Sequence, residues 1–294
     1  MRDSLVKVIL DYDGTLTAEE EQVGELAERA ITALAKDILK VPRSQVARDY
    51  ERTREILLSR SHEFCWEVNG LCASYCDEGA FILNTTTLQT MLRTNPAYTR
   101  SVATLFQDRV EYDPVVDCTN YLFHRYTFDL PPRFRTATRQ VLRWLLEHPR
   151  FTPVILTSSL GDTVIKNLRT LQLGEIRVLG DTRQYEMDPS WDVCGELDLD
   201  SPFLIAGSLR RIDLRRPAYY KALRSEGADG GMIIVADTLS MPGALPLAMG
   251  KKFILLKTTY TPTWCEAFVR HHPHGRVIEH LEELPACLKA LSTE

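Results

Sequence analysis

The sequence contains no long apolar run, and that absence excludes two classes at once. A secretory leader needs an apolar core of about 7–15 residues and a membrane-spanning helix about 20. The N-terminal run, Leu5–Leu10, is shorter than either and has charges on both sides. A chain of this kind is expected in the cytoplasm, with no membrane partner. Excess basic charge is also missing: 35 Lys and Arg against 40 Asp and Glu give a formal net charge of −5, which weighs against nucleic acid as the main partner. Cysteine pairing is absent too. The seven cysteines are odd in number and form no CxxC, so free thiols are expected rather than a disulfide framework. Cys72 and Cys76, one turn apart if helical, and the segment His271-His272-Pro273-His274 have metal-like composition. Buried thiols and a surface turn are the readings expected of them. There is no internal repeat and no low-complexity tract.

What is present is alternation. Leu5–Leu10 is β-branched and nearly continuously apolar, as expected of a strand buried on both faces. Similar runs recur at Thr152–Leu156, Met232–Ala236 and Phe253–Leu256. Helical patterns lie between them. Thr136–His148 puts Val141, Leu142, Leu145 and Leu146 on one face and stops before Pro149. Asp162–Gln172 does the same with Val164, Ile165, Leu168 and Leu171, with Gly174 as its C-terminal cap. Arg216–Glu226 ends before Gly227. Strands alternating with helices predict an α/β domain, a doubly wound parallel sheet covered on both sides.

A length of 294 residues fits about two domains. Residues 18–130 have helical spacings, with Leu26, Ala30, Leu34 and Ile38 in one segment and Val46, Tyr50 and Leu57 in the next. Further helical patterns cover Asp77–Arg93 and Tyr98–Asp108. They predict a mostly α-helical domain at 18–130, inserted into an α/β core made of 1–17 and 131–294. Within Glu175–Ser208, IRVL, RQYEM and FLIA are separated by turn residues. They predict extra β-structure, with Gly180-Asp181-Thr182 as a hairpin turn between the first two.

The most specific feature is Asp11-Tyr12-Asp13-Gly14-Thr15, directly after the first strand. In an open α/β sheet, ligands bind outside the carboxyl ends of the strands. Two carboxylates two residues apart there stand at the mouth of a crevice. Gly14 permits a sharp turn and Thr15 can hydrogen-bond it. A solvated Asp-Gly turn with no further role is the alternative, and the segments downstream weigh against it.

DYDGTLT after an apolar strand resembles motif I of the haloacid dehalogenase (HAD) superfamily. The resemblance implies that Asp11 is a nucleophile that forms an aspartyl-phosphate and that Asp13 is the general acid and base. Carboxylates serve as covalent nucleophiles for phosphoryl groups, and a positioned acid contributes about 10²–10⁴ in rate. TPVILTSS is similar to motif II, which implies Thr157 as a phosphate hydrogen-bond donor and Ser158 as a main-chain N–H donor. Arg215-Arg216-Pro217-Ala218-Tyr219-Tyr220-Lys221 resembles motif III. Arg216 stands in the place of the usual lysine, and Lys221 is a second candidate for the phosphate-binding cation. Arginine offers two parallel N–H bonds to phosphate.

MIIVADTLSMPG resembles motif IV, with Asp237 as the Mg²⁺-binding acid and Ala236 where glycine is common. The second acid expected four or five residues later is absent; Met241 and Pro242 stand there. Mg²⁺ takes about six oxygen ligands and keeps several waters. Asp11, the main-chain carbonyl of Asp13, Asp237, a phosphate oxygen and waters would complete its shell. The resemblance therefore implies a Mg²⁺-dependent phosphohydrolase, a phosphoric monoester hydrolase acting on a small phosphorylated metabolite.

The matching motifs cover the core. The inserted part corresponds to a cap that in this family closes over the crevice and excludes water. Within it, His62, Arg125 and Thr85-Thr86-Thr87 read as structural or solvated residues. Two other readings remain. A HAD-fold binding protein without catalysis is favoured by the missing second acid and the Arg for Lys exchange. A 2-haloacid dehalogenase would need neither Asp13 nor a metal.

Overall fold

The computed structural model describes residues 5–108, 111, 113–127, 130–227 and 231–291. Contacts divide the chain into two compact units: Met1–Ala18, Glu67–Ser74 and Phe134–Glu294 form the first, Glu19–Trp66 and Tyr75–Arg133 the second. Strand β1 (Val6–Leu10) opens the first unit. The chain then enters the second through helices α1 (Val23–Ala33) and α2 (Arg43–Ser59). A hairpin of β2 (Cys65–Val68) and β3 (Leu71–Tyr75) follows, most of it, Glu67–Ser74, belonging to the first unit. Helices α3 (Ala80–Thr94), α4 (Pro96–Phe106) and α5 (Pro114–Thr127) complete the second unit.

The return to the first unit runs through α6 (Thr138–Glu147), β4 (Phe151–Leu156), α7 (Gly161–Thr170), β5 (Arg177–Leu179) and α8 (Val193–Leu197). A second hairpin, β6 (Phe203–Ala206) with β7 (Arg210–Asp213), leads to α9 (Pro217–Glu226) and β8 (Gly231–Ala236). The chain closes with α10 (Ala244–Ala248), β9 (Lys252–Leu256), α11 (Thr263–His271), β10 (Gly275–Ile278) and α12 (Leu284–Leu291).

The first unit is α/β, built on a six-stranded sheet in the order β10-β9-β8-β1-β4-β5, with all its described pairings parallel. Connections run to one side of β1 for β4 and β5, then to the other for β8, β9 and β10. The order reverses at β1, and such a reversal opens a crevice at the carboxyl ends. Apolar residues on successive strand positions are buried, as Val8, Ile9 and Leu10 are, because helices cover a parallel sheet. Helices α6, α7 and α12 supply Leu142, Leu145, Val164, Leu168 and Leu288 to the same core. The second unit has its own core, in which Leu26, Ala30, Leu34, Ile38, Val46 and Tyr50 meet Leu88, Met91, Tyr98, Val102 and Leu122.

Several expectations need correction. Strands β2 and β3 interrupt the helical insertion. Asn69 and Gly70 join them in a two-residue turn with φ of 52° and 74°, the left-handed pair that Asn-Gly favours. IRVL supplies β5, an edge strand of the main sheet, and RQYEM forms no strand. Gly180-Asp181-Thr182 is therefore not a hairpin turn; it follows β5. FLIA, as β6, pairs antiparallel with β7 instead. Past α7 the left-handed residue is Gln172 (φ 60°), not Gly174. Cys72 lies on β3 and Cys76 just after it, so the two are not a helical pair, and none of the seven cysteines is in a disulfide among the described residues. Among the described residues no helix is long and apolar enough to cross a membrane.

At the amino end of the sheet, Glu226 ends α9 with its side chain 1% exposed. It accepts from Lys7 Nζ at 3.0 Å and Arg177 Nη2 at 2.6 Å, tying α9 to β1 and β5. Both cations keep solvent contact, so the buried carboxylate is the member that needs them. Glu226→Gln should lower stability by about 1–3 kcal/mol, read as a fall in the urea midpoint, because a hydrogen bond to a charged group is worth that much.

Candidate active site

Parallel register sets three strand ends level. Leu10 of β1 pairs with Ile155 of β4 and Val235 of β8. Asp11, Thr157 and Asp237 each come immediately after one of these strands. The main chain locks the first of them, since Asp11 N–H donates to the Val235 carbonyl at 3.0 Å.

Beyond Asp11 the chain must turn without a side chain in the way. Gly14 has φ of 75°, and a Cβ there would overlap the Asp237 carboxylate. Asp237 thus packs directly on the turn. Thr15 is buried between the two acids. Its hydroxyl lies 3.3 Å from Asp237 Oδ1 and 3.5 Å from Asp11 Oδ2, and it accepts from Asp237 N–H at 3.1 Å. Arg135 holds the outside of the turn, donating from Nη2 to the Gly14 carbonyl at 2.5 Å and from Nε to the Thr15 carbonyl at 3.2 Å.

Asp13 turns the other way, toward the end of β4. Ser159 Oγ donates to Asp13 Oδ2 at 2.6 Å, and Thr157 Oγ1 lies 3.4 Å from the same oxygen. Thr157 Oγ1 also accepts from Ser159 N–H at 3.0 Å. The Thr-Ser-Ser run holds this partner, but only its second serine reaches Asp13. Ser158 Oγ instead accepts from Gln184 N–H at 3.1 Å.

The segment after β5 braces these residues. Thr182 donates to the Thr157 carbonyl from both N–H (3.1 Å) and Oγ1 (2.8 Å), and Asp181 N–H donates to the Ser159 carbonyl at 2.9 Å. Gln184 is buried; its Nε2 donates to the Leu156 carbonyl at 3.0 Å, and its side chain also hydrogen-bonds Asp11. No sequence motif marked Gln184. Its position depends on β5 joining the sheet.

Arg216 is 1% exposed and sits at the start of α9. It donates from Nη1 to the Gln184 carbonyl at 2.9 Å and from Nη2 to the Ala73 carbonyl. It thereby clamps the Gln184 segment, while Tyr219, one turn along α9, lies close enough to feel both Asp11 and Arg216. Lys221 is exposed. Two residues beyond Tyr219 it projects about 200° around the helix, into a depression lined by Glu186, Asp188 and Asn69. The structure does not bring it toward the side of α9 that faces Asp11.

The electrostatics follow from crowding. Burial raises the Asp11 pKa well above the ordinary carboxylate value, and the charges of Asp237 and Asp13 raise it further; the Tyr12 N–H and Gln184 oppose this. Asp13 keeps solvent access at the surface, yet the protein mass around it raises its pKa as well, against the hydroxyls of Ser159 and Thr157. Among the described residues no group of three or more Asp, Glu, His or Cys side chains is arranged to hold a metal. The side-chain donors converge as a pair, Asp11 and Asp237 across Thr15. Their mutual repulsion and oxygen chemistry suit a hard divalent cation.

A raised Asp11 pKa means that the folded protein holds a proton the unfolded chain has already released. Its stability contribution therefore declines as pH rises above about 4, through the raised folded value. Removing one like charge should relieve this. In metal-free buffer at neutral pH, Asp237→Asn is expected to raise stability by about 1 kcal/mol in urea titration and to flatten its fall with pH.

No protein-family model matches the chain, and no curated protein matches it significantly. Solved structures do. A HAD-hydrolase from Bacillus subtilis, bound to magnesium, is similar with a TM-score of 0.50 and 13% identity, covering 97% of this chain and 99% of its own. A predicted phosphoglycolate phosphatase from Haemophilus somnus is similar with a TM-score of 0.50 and 13% identity, covering 98% and 99%. The sheet order, the helical insertion after the first strand and this likeness over nearly the whole length agree: the chain has the haloacid dehalogenase-like fold.

Proposed function

We propose that this protein is a Mg²⁺-dependent phosphohydrolase for a small phosphorylated metabolite, with Asp11 as nucleophile. One observation carries the reading. Asp11, Asp13 and Asp237 converge with Thr15, Thr157 and Ser159 at the carboxyl ends of three adjacent parallel strands. Asp11 and Asp237, with the Asp13 main-chain carbonyl, would hold the cation. A divalent cation bound there supplies positive charge that keeps Asp11 ionised and neutralises phosphate oxygens. The Bacillus neighbour's bound magnesium is in keeping with this.

The residues divide the work by position. Asp11 attacks phosphorus in line, forming the O–P bond of an aspartyl-phosphate as the bond to the leaving oxygen breaks. Asp13, tied by Ser159 and Thr157, gives the proton to that oxygen. It then takes the proton of the water that cleaves the acyl-phosphate. Thr157 donates to the phosphate, Ser158 offers its main-chain N–H, and Arg216 contributes charge from behind the Gln184 segment. A second reading, a non-catalytic HAD-fold binding protein, draws on Met241 and Pro242 in the place of an acid.

Asp11→Asn is expected to reduce hydrolysis of p-nitrophenyl phosphate to background while leaving the fold intact. A wild type that binds phosphate but hydrolyses no phosphomonoester would favour the second reading. Ser159 gives a finer test, because a held acid matters most when the leaving oxygen is basic. Ser159→Ala should slow alkyl phosphate hydrolysis about 10–100-fold and leave p-nitrophenyl phosphate nearly unchanged, with Ser159→Thr recovering part of the loss. Equal loss on both substrates would remove Ser159 from this role.

A further inference from the structure

A neutral side chain, that of Gln184, meets the candidate nucleophile. The residue lies in the segment after β5 and is 3% exposed. It is held at main-chain and side-chain atoms alike. Its N–H donates to Ser158 Oγ at 3.1 Å, and its carbonyl accepts from Arg216 Nη1 at 2.9 Å. Its Nε2 donates to the Leu156 carbonyl at 3.0 Å, and its side chain also hydrogen-bonds Asp11. Leu156 follows Ile155, the register partner of Leu10, so the carbonyl that takes one amide hydrogen stands level with Asp11.

Chemistry fixes which end of the amide faces Asp11. A carbonyl and a carboxylate only accept, and an amide nitrogen carries two hydrogens. One goes to Leu156 and the other is left for Asp11, at the fixed angle of a planar NH₂ group. Close approach of two main chains makes this reach possible. A Cβ on Gly180 would overlap the main chain of Gly161 and Ser159, so the chain leaving β5 passes directly against the loop after β4. Asp181 and Thr182 tie it there, their N–H groups donating to the Ser159 and Thr157 carbonyls.

The terminal torsion of an aspartate is broad, so a carboxylate that must attack along one line needs outside groups to set its direction. We propose that Gln184 is a positioning residue for the nucleophile: held by Leu156, Ser158 and Arg216, its amide fixes the direction of the Asp11 carboxylate. The role rests on the reading of Asp11 as nucleophile. Thr15 Oγ1, 3.5 Å from Asp11 Oδ2, flanks the same carboxylate. A neutral donor orients without neutralising, so the charge of Asp11 stays available to a divalent cation and to phosphorus. An amide thus serves where motif III implied a cation. Lys221 is exposed on another side of α9, and Arg216 reaches the main chain of Gln184.

The test measures kcat and KM of the full chain with Mg²⁺, for p-nitrophenyl phosphate and an alkyl phosphate. Wild type is compared with Asp11→Asn, Gln184→Met and Ser158→Ala. Methionine matches glutamine in length and has no N–H to donate. Gln184→Met is expected to lower kcat about 10-fold to 100-fold, the worth of a hydrogen bond to a charged group, and to leave KM within about twofold. The loss is equal for the two substrates, because the direction of attack does not depend on the leaving oxygen. A general loosening of the site would raise KM as well. Ser158→Ala keeps Gln184 and frees its N–H; it is expected to lower kcat about threefold at unchanged KM. An unchanged kcat in Ser158→Ala overturns the role if Gln184→Met does not fold. A Gln184→Met enzyme with wild-type kcat, or with its loss carried by KM, overturns the role of Gln184 and leaves Asp11 as nucleophile. A wild type no more active than Asp11→Asn overturns both.

Discussion

The main-chain ladder joining β8, β1 and β4 holds Val235, Leu10 and Ile155 at one level, and the acidic cluster of the first unit stands just past that level. Parallel pairing points all three strands the same way, so Asp11, one residue past Leu10, and Asp237 and Thr157, two residues past Val235 and Ile155, emerge at one edge. A slip of one position along β8 would turn Asp237 to the opposite face of the sheet. Burial of Val8, Ile9, Leu10, Ile233, Ile234 and Val235 opposes such a slip. The apolar strands therefore do more than stabilise the sheet: they fix where its acids stand.

Placing like charges so close has a cost, and the surroundings show how it is limited. Thr15 gives its hydroxyl to the space between Asp11 and Asp237, and Gly14 lets Asp237 lie against the turn. Asp13 is drawn aside by Ser159 and Thr157. The two acids left facing each other form the pair suited to a cation, while the third is held apart with a raised pKa. One short segment thus sends its two acids in different directions, each set by the hydroxyls that tie it.

Behind these residues, Gln184 and Arg216 form a supporting layer. Arg216 is fully buried yet its described hydrogen bonds run to main-chain carbonyls, one of them that of Gln184. Gln184 in turn touches Asp11 and the end of β4. A neutral amide therefore reaches the acid that the motif resemblance assigned to a cation's care. The charge of Arg216 acts at one remove, through the segment it clamps.

Some of this was legible in the residues alone, and the reason is local. An apolar run and a helical stripe record burial, and burial leaves a periodicity that needs no knowledge of distant partners. β1, β4, β8 and β9 and helices α6, α7 and α9 were readable in that way, and the acids after β1 and β8 from their place behind an apolar strand and the motif resemblance. Asn69-Gly70 is a local signal too, a turn pair that announces the β2–β3 hairpin. Other features had no local record. Whether IRVL pairs with RQYEM or with β4 depends on which edge is open, and only the assembled sheet offers β4. That choice carries Thr182 and Gln184 to the end of β4, and it decides which residue meets Asp11. Likewise Ser158 and Ser159 are indistinguishable in sequence; the direction of the chain leaving β4 sends one hydroxyl to Gln184 and the other to Asp13. Motif and periodicity named the candidate residues, while contacts between distant parts of the chain decided what each of them touches.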